Sequence, residues 1–314
     1  MAGSSSPFHA GEQALQTAWG MRERMEAVGQ AVIRKHMPEQ HRELFEKLGT
    51  LWLGTLDNEG QPWATMLTGT PGRFMDSPDP QTLRVSARPG ADDPAAIGLR
   101  PGAAIGVLGL EPHTRRRNRM NGRVASVEAD GFAVEVLQSF GNCPKYIQAR
   151  EPLVQAARRP GAVSAEGPVL SAAARALIEA SDTFFIASSS GPRVEQTGPG
   201  GAGVDVSHRG GPPGFVQLQS TPSGDELMLP DYLGNSMFNT LGNLLAWPHA
   251  GLLFIDWQTG DMLQLAASAE VHSAARPATR HLLRLRIAHG WWRPAALPLS
   301  WTAPQLAAQF QQAA

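Results

Sequence analysis

Short apolar runs separated by turn residues set the pattern of this chain. Residues 51–56, 63–70, 83–87, 103–110, 117–128 and 132–137 each read as a strand. They are bounded by Gly, Pro, Asn and Asp, the residues that punctuate strands. Asp57-Asn58-Glu59-Gly60 is a turn, and it joins the first two strands as a hairpin. Helical spacing appears only at the start, where Leu15, Trp19, Met25, Val28 and Val32 fall on roughly one face of residues 11–36. Pro38 interrupts that pattern, and residues 39–48 give a second helix ending near Gly49. Asp93-Pro94 opens a further short helix that stops at Pro101, with Asp as N-cap and Pro at the first helical position.

The pattern then repeats. A helix is expected at 171–179, strands at 183–188, 203–207, 214–219 and 226–229, a loop and helix at 230–246, and strands at 250–257 and 262–272. The loop 189–202 is rich in Gly, Pro and Ser. Pro101 before 103–110 aligns with Pro248 before 250–257 at an offset of 147, and Val124 aligns with Val271. Leu51–Thr55 aligns with Phe184–Ser188 at an offset of 133, so about 14 residues are inserted between the anchors. A repeat this long means two domain-sized copies, with the crevice between them a natural ligand site. The expected division is 1–150 for the helices and first copy, 151–168 for a linker, 169–276 for the second copy, and 277–314 for a tail. Trp291, Trp292 and Trp301 should hold that tail on the body.

Composition narrows the function classes. A length of 314 residues fits two ordinary domains, and 42% hydrophobic content supplies their cores. The net charge of −1 gives no basis for nucleic-acid or membrane binding. No apolar run approaches the ~18 residues of a membrane span, and the N-terminus does not read as a signal peptide. One cysteine, Cys143, excludes an internal disulfide framework and suits a cytoplasmic protein. No metal site is expected, because His9 and Glu12 alone are too few ligands.

Four stretches carry candidate chemistry. Arg115, Arg117, Arg119 and Arg123 alternate onto one strand face with Asn121. Guanidinium forks suit phosphate or carboxylate, and a solvated basic face is the competing reading. At 147 residues' offset, Met262, Gln264 and Ala266 stand opposite Arg115, Arg117 and Arg119, so the copies have diverged here. Ser207, His208 and Arg209 end a strand beside Gly210 and Gly211, a set that suits an anion or else a glycine-rich hairpin. Asn239, Thr240 and Asn243 sit near a helix start, where free amides attract anions or where Asn merely caps. Lys145 and Tyr146 follow Cys143 and could reach a ligand.

These residues carry a resemblance to the pyridoxamine 5′-phosphate oxidase-like, flavin-nucleotide-binding split-barrel family, and in particular to its two-copy subgroup. The matching stretches are Phe8-His9-Ala10-Gly11-Glu12, 114–122, 139–148, 204–216, 230–245 and 251–265. The resemblance implies a mainly β fold with flanking helices (α+β), as two tandem six-stranded split β-barrels packed as a pseudo-dimer. It implies FMN, or alternatively FAD or a deazaflavin, in the groove between barrels. Ser207, His208 and Arg209 match the phosphate-side strand. Asn239 and Thr240 stand where the oxidases carry an Arg-Lys pair, and the strand at 262–265 lacks the oxidases' substrate-phosphate Arg. Pyridoxamine phosphate oxidation itself therefore does not fit.

The cofactor-binding set read from the sequence is Ser207, His208, Arg209, Asn239, Thr240, Asn243, Arg117, Arg119 and Lys145, with no catalytic residue assigned. The expected function is flavin binding with a redox role on a small molecule. A scaffold module without flavin, or a deazaflavin or tetrapyrrole binder, is the alternative. A small-molecule substrate, an electron-transferring reductase and a homodimer are the partners this reading allows.

Overall fold

The computed structural model describes residues 6–193, 201–276 and 279–311. Positions 194–200 of the expected Gly/Pro/Ser-rich loop lie outside the described residues. The first copy opens with α1 (Ala10–Ala18), α2 (Arg22–Val32) and α3 (Glu39–Lys47). The single helix expected over 11–36 is two helices, because Gly20 adopts φ +63° and turns the chain. His9 caps α1: its Nδ1 accepts from the Gly11 amide, and Glu12 accepts from the His9 amide in return.

Seven strands follow: β1 (Thr50–Leu56), β2 (Pro62–Thr68), β3 (Met75–Asp76), β4 (Thr82–Val85), β5 (Ala104–Glu111), β6 (Arg116–Val127) and β7 (Phe132–Gly141). A 3-10 turn at Pro94–Gly98 lies between β4 and β5, with Asp93 capping it as expected. The stretch read as a linker holds β8 (Pro152–Val154) and β9 (Ser164–Glu166). The second copy comprises α4 (Ala172–Ala180), β10 (Thr183–Ser189), β11 (Val204–Gly210), β12 (Gln217–Thr221), β13 (Gly224–Tyr232), α5 (Asn239–Ala246), β14 (His249–Ile255), β15 (Met262–Arg276) and β16 (Thr279–Arg293). β17 (Leu299–Trp301) and α6 (Ala308–Gln311) end the described chain.

The first sheet runs β2-β1-β5-β6-β7-β4-β3, and the second runs β11-β10-β14-β15-β16-β13-β12 with β9 on β16. Strand for strand, this is one topology used twice. All pairings are antiparallel. Two expectations are corrected. The sheets have seven and eight strands rather than six, and among the described residues neither closes by pairing its edge strands. The segment beginning at 277, read as a tail, starts with β16, a central strand flanked by β13 and β15. Trp291 and Trp292 belong to that strand, while Trp301 is buried as expected.

The strand registers also revise the repeat. Gly54 faces Gly106, and its counterpart Ala187 faces Gly251, so the β5/β14 offset is 145 rather than 147. The next pairing agrees: Gly106 faces Asn121 and Gly251 faces Ala266. A two-residue slip keeps every side chain on its face, so alternation alone could not detect it. The structural counterparts of Arg117, Arg119 and Asn121 are therefore Met262, Gln264 and Ala266.

Each sheet covers its own core, around Phe45, Leu51 and Phe132 in the first copy and around Phe184, Phe254 and Leu283 in the second. A third core joins the copies through Trp52, Met66, Leu108, Phe185, Val206 and Leu253. Trp52 and Phe185 are equivalent positions, and their rings stack 4.7 Å apart. Equivalent pairs of strands from the two copies also meet, β2 against β14 and β5 against β11.

Candidate ligand groove between the copies

Beside this shared core, β6 of the first copy faces β11, β13 and the start of α5 in the second. The cavity between them is lined by Arg117, Arg119, Cys143, Lys145, Ser207, His208, Arg209, Asp231, Asn239 and Thr240, among others. Strand alternation explains the supply. Arg117 and Arg119 share one face of β6, and Asp205, Ser207 and Arg209 share one face of β11.

The inner wall is a continuous hydrogen-bonded cluster. Arg119 Nη2 donates to Ser207 Oγ at 2.8 Å, and Nη1 donates to Asn239 Oδ1 at 2.9 Å. Ser207 and Thr240 hydroxyls are 2.9 Å apart. Behind them Asp205 accepts from Asn121 at 2.8 Å and from Asn243 at 2.9 Å, and stands 3.6 Å from Arg119. Glu12 of α1 accepts from Asn239 Nδ2 at 2.6 Å. Burial pushes the Glu12 carboxyl well above its usual range, and the Asp205 charge adds to this.

The outer wall is cationic. Arg117 Nη2 donates to the Cys143 carbonyl at 2.7 Å, and Nη1 donates to His208 Nδ1 at 3.2 Å. Burial and the neighbouring Arg119 and Arg209 charges bring the Arg117 guanidinium down to about 9. His208 is held well below its usual value by burial and by Arg117, so it is a neutral acceptor here. Arg209 is bound to Asp231 at 2.6 Å. Tyr146 and Tyr232 stack at 5.3 Å, with Phe310 of α6 against both.

Four buried polar atoms of the lining have no protein partner: Nε of Arg117, Arg119 and Arg209, and Oδ1 of Asn142. Buried donors are normally satisfied, and these three guanidinium nitrogens around one cavity are not satisfied by the chain itself.

The equivalent place, where β2 meets β15, is sealed by buried side chains: Thr65, Asp93 and Gln264 are at most 4% exposed. There Gln264 stands in place of Arg119, and Thr65 stands in place of Ser207. Gln264 donates to Asp93 at 3.0 Å and to the Ala64 carbonyl at 2.9 Å, and Thr65 is 2.5 Å from Asp93. Asp93 also caps the 3-10 turn by accepting from the Ala95 amide. The matching cap of α5 is Phe238, which adopts φ +63° and makes no side-chain capping bond. One groove holds a built-in carboxylate. In the other, Phe238 takes the capping position, an arginine faces the helix start, and the carboxylates Asp205 and Glu12 lie behind it.

Eight of the nine residues singled out from the sequence line this cavity: Ser207, His208, Arg209, Asn239, Thr240, Arg117, Arg119 and Lys145. Asn243 does not; it is fully buried behind, bonded to Asp205 and Ser188. Arg115 leaves the expected arginine face. It takes φ +58° ahead of β6 and donates to the Ile147 carbonyl, and Arg123 pairs with Glu135 on the surface. The space at Gly210 serves the chain itself, since a Cβ there would meet the Tyr146 carbonyl at 2.0 Å. Asp231 and Tyr232 were not singled out. No local motif marks them, because they reach the cavity only once β13 pairs with β16.

Residues 37–161 match the family model described as pyridoxamine 5′-phosphate oxidase. Among solved structures, the chain is similar to the heme storage protein HutZ from Vibrio cholerae (11% identity, covering 40% of this chain and 95% of that one, TM-score 0.27). It is similar to HupZ from Group A Streptococcus (15%, 33% and 93%, TM-score 0.27). It is also similar to the motility inhibitor MotI/DgrA of Bacillus subtilis (8%, 84% and 91%, TM-score 0.24). No curated protein matches the chain. Among the described residues, no helix is long and apolar enough to cross a membrane.

Proposed function

We propose that the chain binds one FMN-type flavin in the open groove and acts as an oxidoreductase on a small molecule, a reading supported by the match of residues 37–161 to the pyridoxamine 5′-phosphate oxidase family model. The observation that carries this reading is the contrast between the two grooves. Where the sealed groove has Asp93, Thr65 and Gln264, the open one has Phe238, Ser207 and Arg119. An anion from outside the chain would complete it as Asp93 completes its twin.

Arg119, Ser207, Asn239 and Thr240 would hold the phosphate end, through guanidinium, hydroxyl and amide donors at the start of α5. The Arg-Lys pair of the oxidases is missing at Asn239 and Thr240. Arg119, coming from the other copy, brings a guanidinium to the same place. Arg117 and Lys145 add positive charge at the outer wall, suited to an anionic substrate or to the rest of the cofactor. Neutral His208 orients Arg117 without competing for the anion. When bound, a flavin supplies hydride and single-electron chemistry, and the chain supplies placement and electrostatics.

The test is an absorbance spectrum of the purified protein followed by FMN titration of the apo form. The expected result is a flavin band near ~450 nm and a stoichiometry of one per chain. A protein that neither carries nor takes up flavin refutes the reading and leaves a scaffold role. Two equivalents per chain would refute the assignment to a single groove.

A further inference from the structure

The N-terminal stretch Phe8-His9-Ala10-Gly11-Glu12 is not part of either sheet, yet it reaches the groove. α1 crosses α5 at a contact between backbones. A Cβ on Gly11 would lie 2.2 Å from the Gly242 carbonyl oxygen, and one on Gly242 would lie 2.6 Å from the Glu12 amide nitrogen. Only two glycines allow this approach, and it delivers Glu12, which is almost fully buried, to the first residue of α5. There the carboxylate takes both the Asn239 side-chain amide and the His9 backbone amide. Asn239 cannot then rotate freely. With its Nδ2 given to Glu12, its Oδ1 is turned to accept from Arg119, which in turn donates to Ser207. Phe8, fully buried beside Met25, Phe140 and Met237, anchors the stretch from the other side.

We propose that Glu12 is a positioning residue of the groove: carried in by α1, it fixes Asn239 and through it Arg119, so that affinity for an anionic ligand depends on the N-terminal helix being docked. This rests on the reading of the groove as an anion site. The charged and titratable groups that face Glu12 are His9 on its own helix, Asp205 on β11 and Arg119 on β6, with Asn239 on α5. Burial and the like charge of Asp205 both disfavour the ionised form of the Glu12 carboxyl, and the hydrogen bonds from His9 and Asn239 and the Arg119 charge offset part of this. Loss of the Glu12 carboxyl therefore frees Asn239 to turn and Arg119 to fall back onto Asp205, away from the ligand.

The experiment is FMN titration by fluorescence quenching on the full chain, comparing wild type, Glu12→Ala, Glu12→Gln and Gly11→Ala, with thermal melting of each apo protein. Glu12→Ala is expected to weaken FMN about tenfold, the scale of one charge-assisted hydrogen bond. Glu12→Gln keeps the acceptor for Asn239 and should stay within about threefold of wild type, with a flatter pH profile of affinity. Gly11→Ala should weaken binding although it removes no polar contact. If Glu12→Gln fails as badly as Glu12→Ala, or if affinity is unchanged in both, the positioning role is overturned. Should the wild type not bind FMN, the flavin reading fails by itself. Inorganic pyrophosphate then serves as probe through its effect on melting temperature. A shift kept by Glu12→Gln and lost by Glu12→Ala supports the proposal, and equal shifts or none in the wild type overturn it.

Discussion

Arg119→Gln would give the open groove the residue that Gln264 supplies at the equivalent place in the sealed one. The substitution removes the donors to Ser207 and Asn239 and the buried nitrogen that has no protein partner. A charge-assisted hydrogen bond contributes about 1.5–3 kcal/mol. At about 1.4 kcal/mol per decade, the loss in FMN affinity is roughly 10- to 150-fold. The change also takes the cation away from buried Asp205, which keeps Asn121 and Asn243 as donors, so some loss of apo stability is expected beside the loss of affinity. The assay is quenching of flavin fluorescence at low and at high salt, with melting of both apo proteins. Wild-type affinity should fall as salt rises, and the variant should show a shallower dependence. Unchanged affinity in Arg119→Gln, with the fold intact, would refute the assignment of the anion to the inner wall.

Three further outcomes can be checked independently. Arg209→Ala leaves Asp231 as a lone carboxylate on the cavity wall, so it should weaken FMN by about tenfold, and adding Asp231→Asn should restore most of the loss; a titration showing no recovery would mean that Arg209 contacts the ligand directly. Trp52→Ala empties the stacked contact between copies, where both rings are at most 1% exposed, and should cost about 3–5 kcal/mol in denaturant unfolding, whereas a loss below 1 kcal/mol would show that the shared core is not holding the copies together. His41 is held down to about 4 by burial and by Arg34 and Arg116, with its Nδ1 2.7 Å from the Ser139 hydroxyl. It is neutral in the folded chain where the unfolded chain would protonate it, so stability is lost as pH falls from its unfolded value of ~6.5 toward 4. His41→Gln should flatten that acid limb in a series of melts, and an unaltered limb would remove His41 as its cause.

The sequence alone determined the elements and the duplication. Apolar runs bounded by Gly, Pro and Asn gave the strands within a few residues, apart from the short β3, β8, β9 and β17 and the long β16, because side-chain alternation and turn chemistry are local properties. Asp93-Pro94 announced its capped turn for the same reason. Strand alternation by itself also puts Arg117 with Arg119 on a common face. What the sequence could not fix was register. A shift of two residues leaves every face unchanged, and only the hydrogen-bonded partners Gly106–Asn121 and Gly251–Ala266 set the offset at 145 and paired Arg119 with Gln264. Nor could it show that residues 279–293 form a central strand, since their place depends on long-range partners at β13 and β15. The groove itself is wholly tertiary. Glu12, Arg119, Ser207 and Asn239 span more than two hundred residues of chain, and no local pattern relates them. They meet because two copies of one topology stack Trp52 on Phe185, and because Gly11 and Gly242 let a helix close the remaining side.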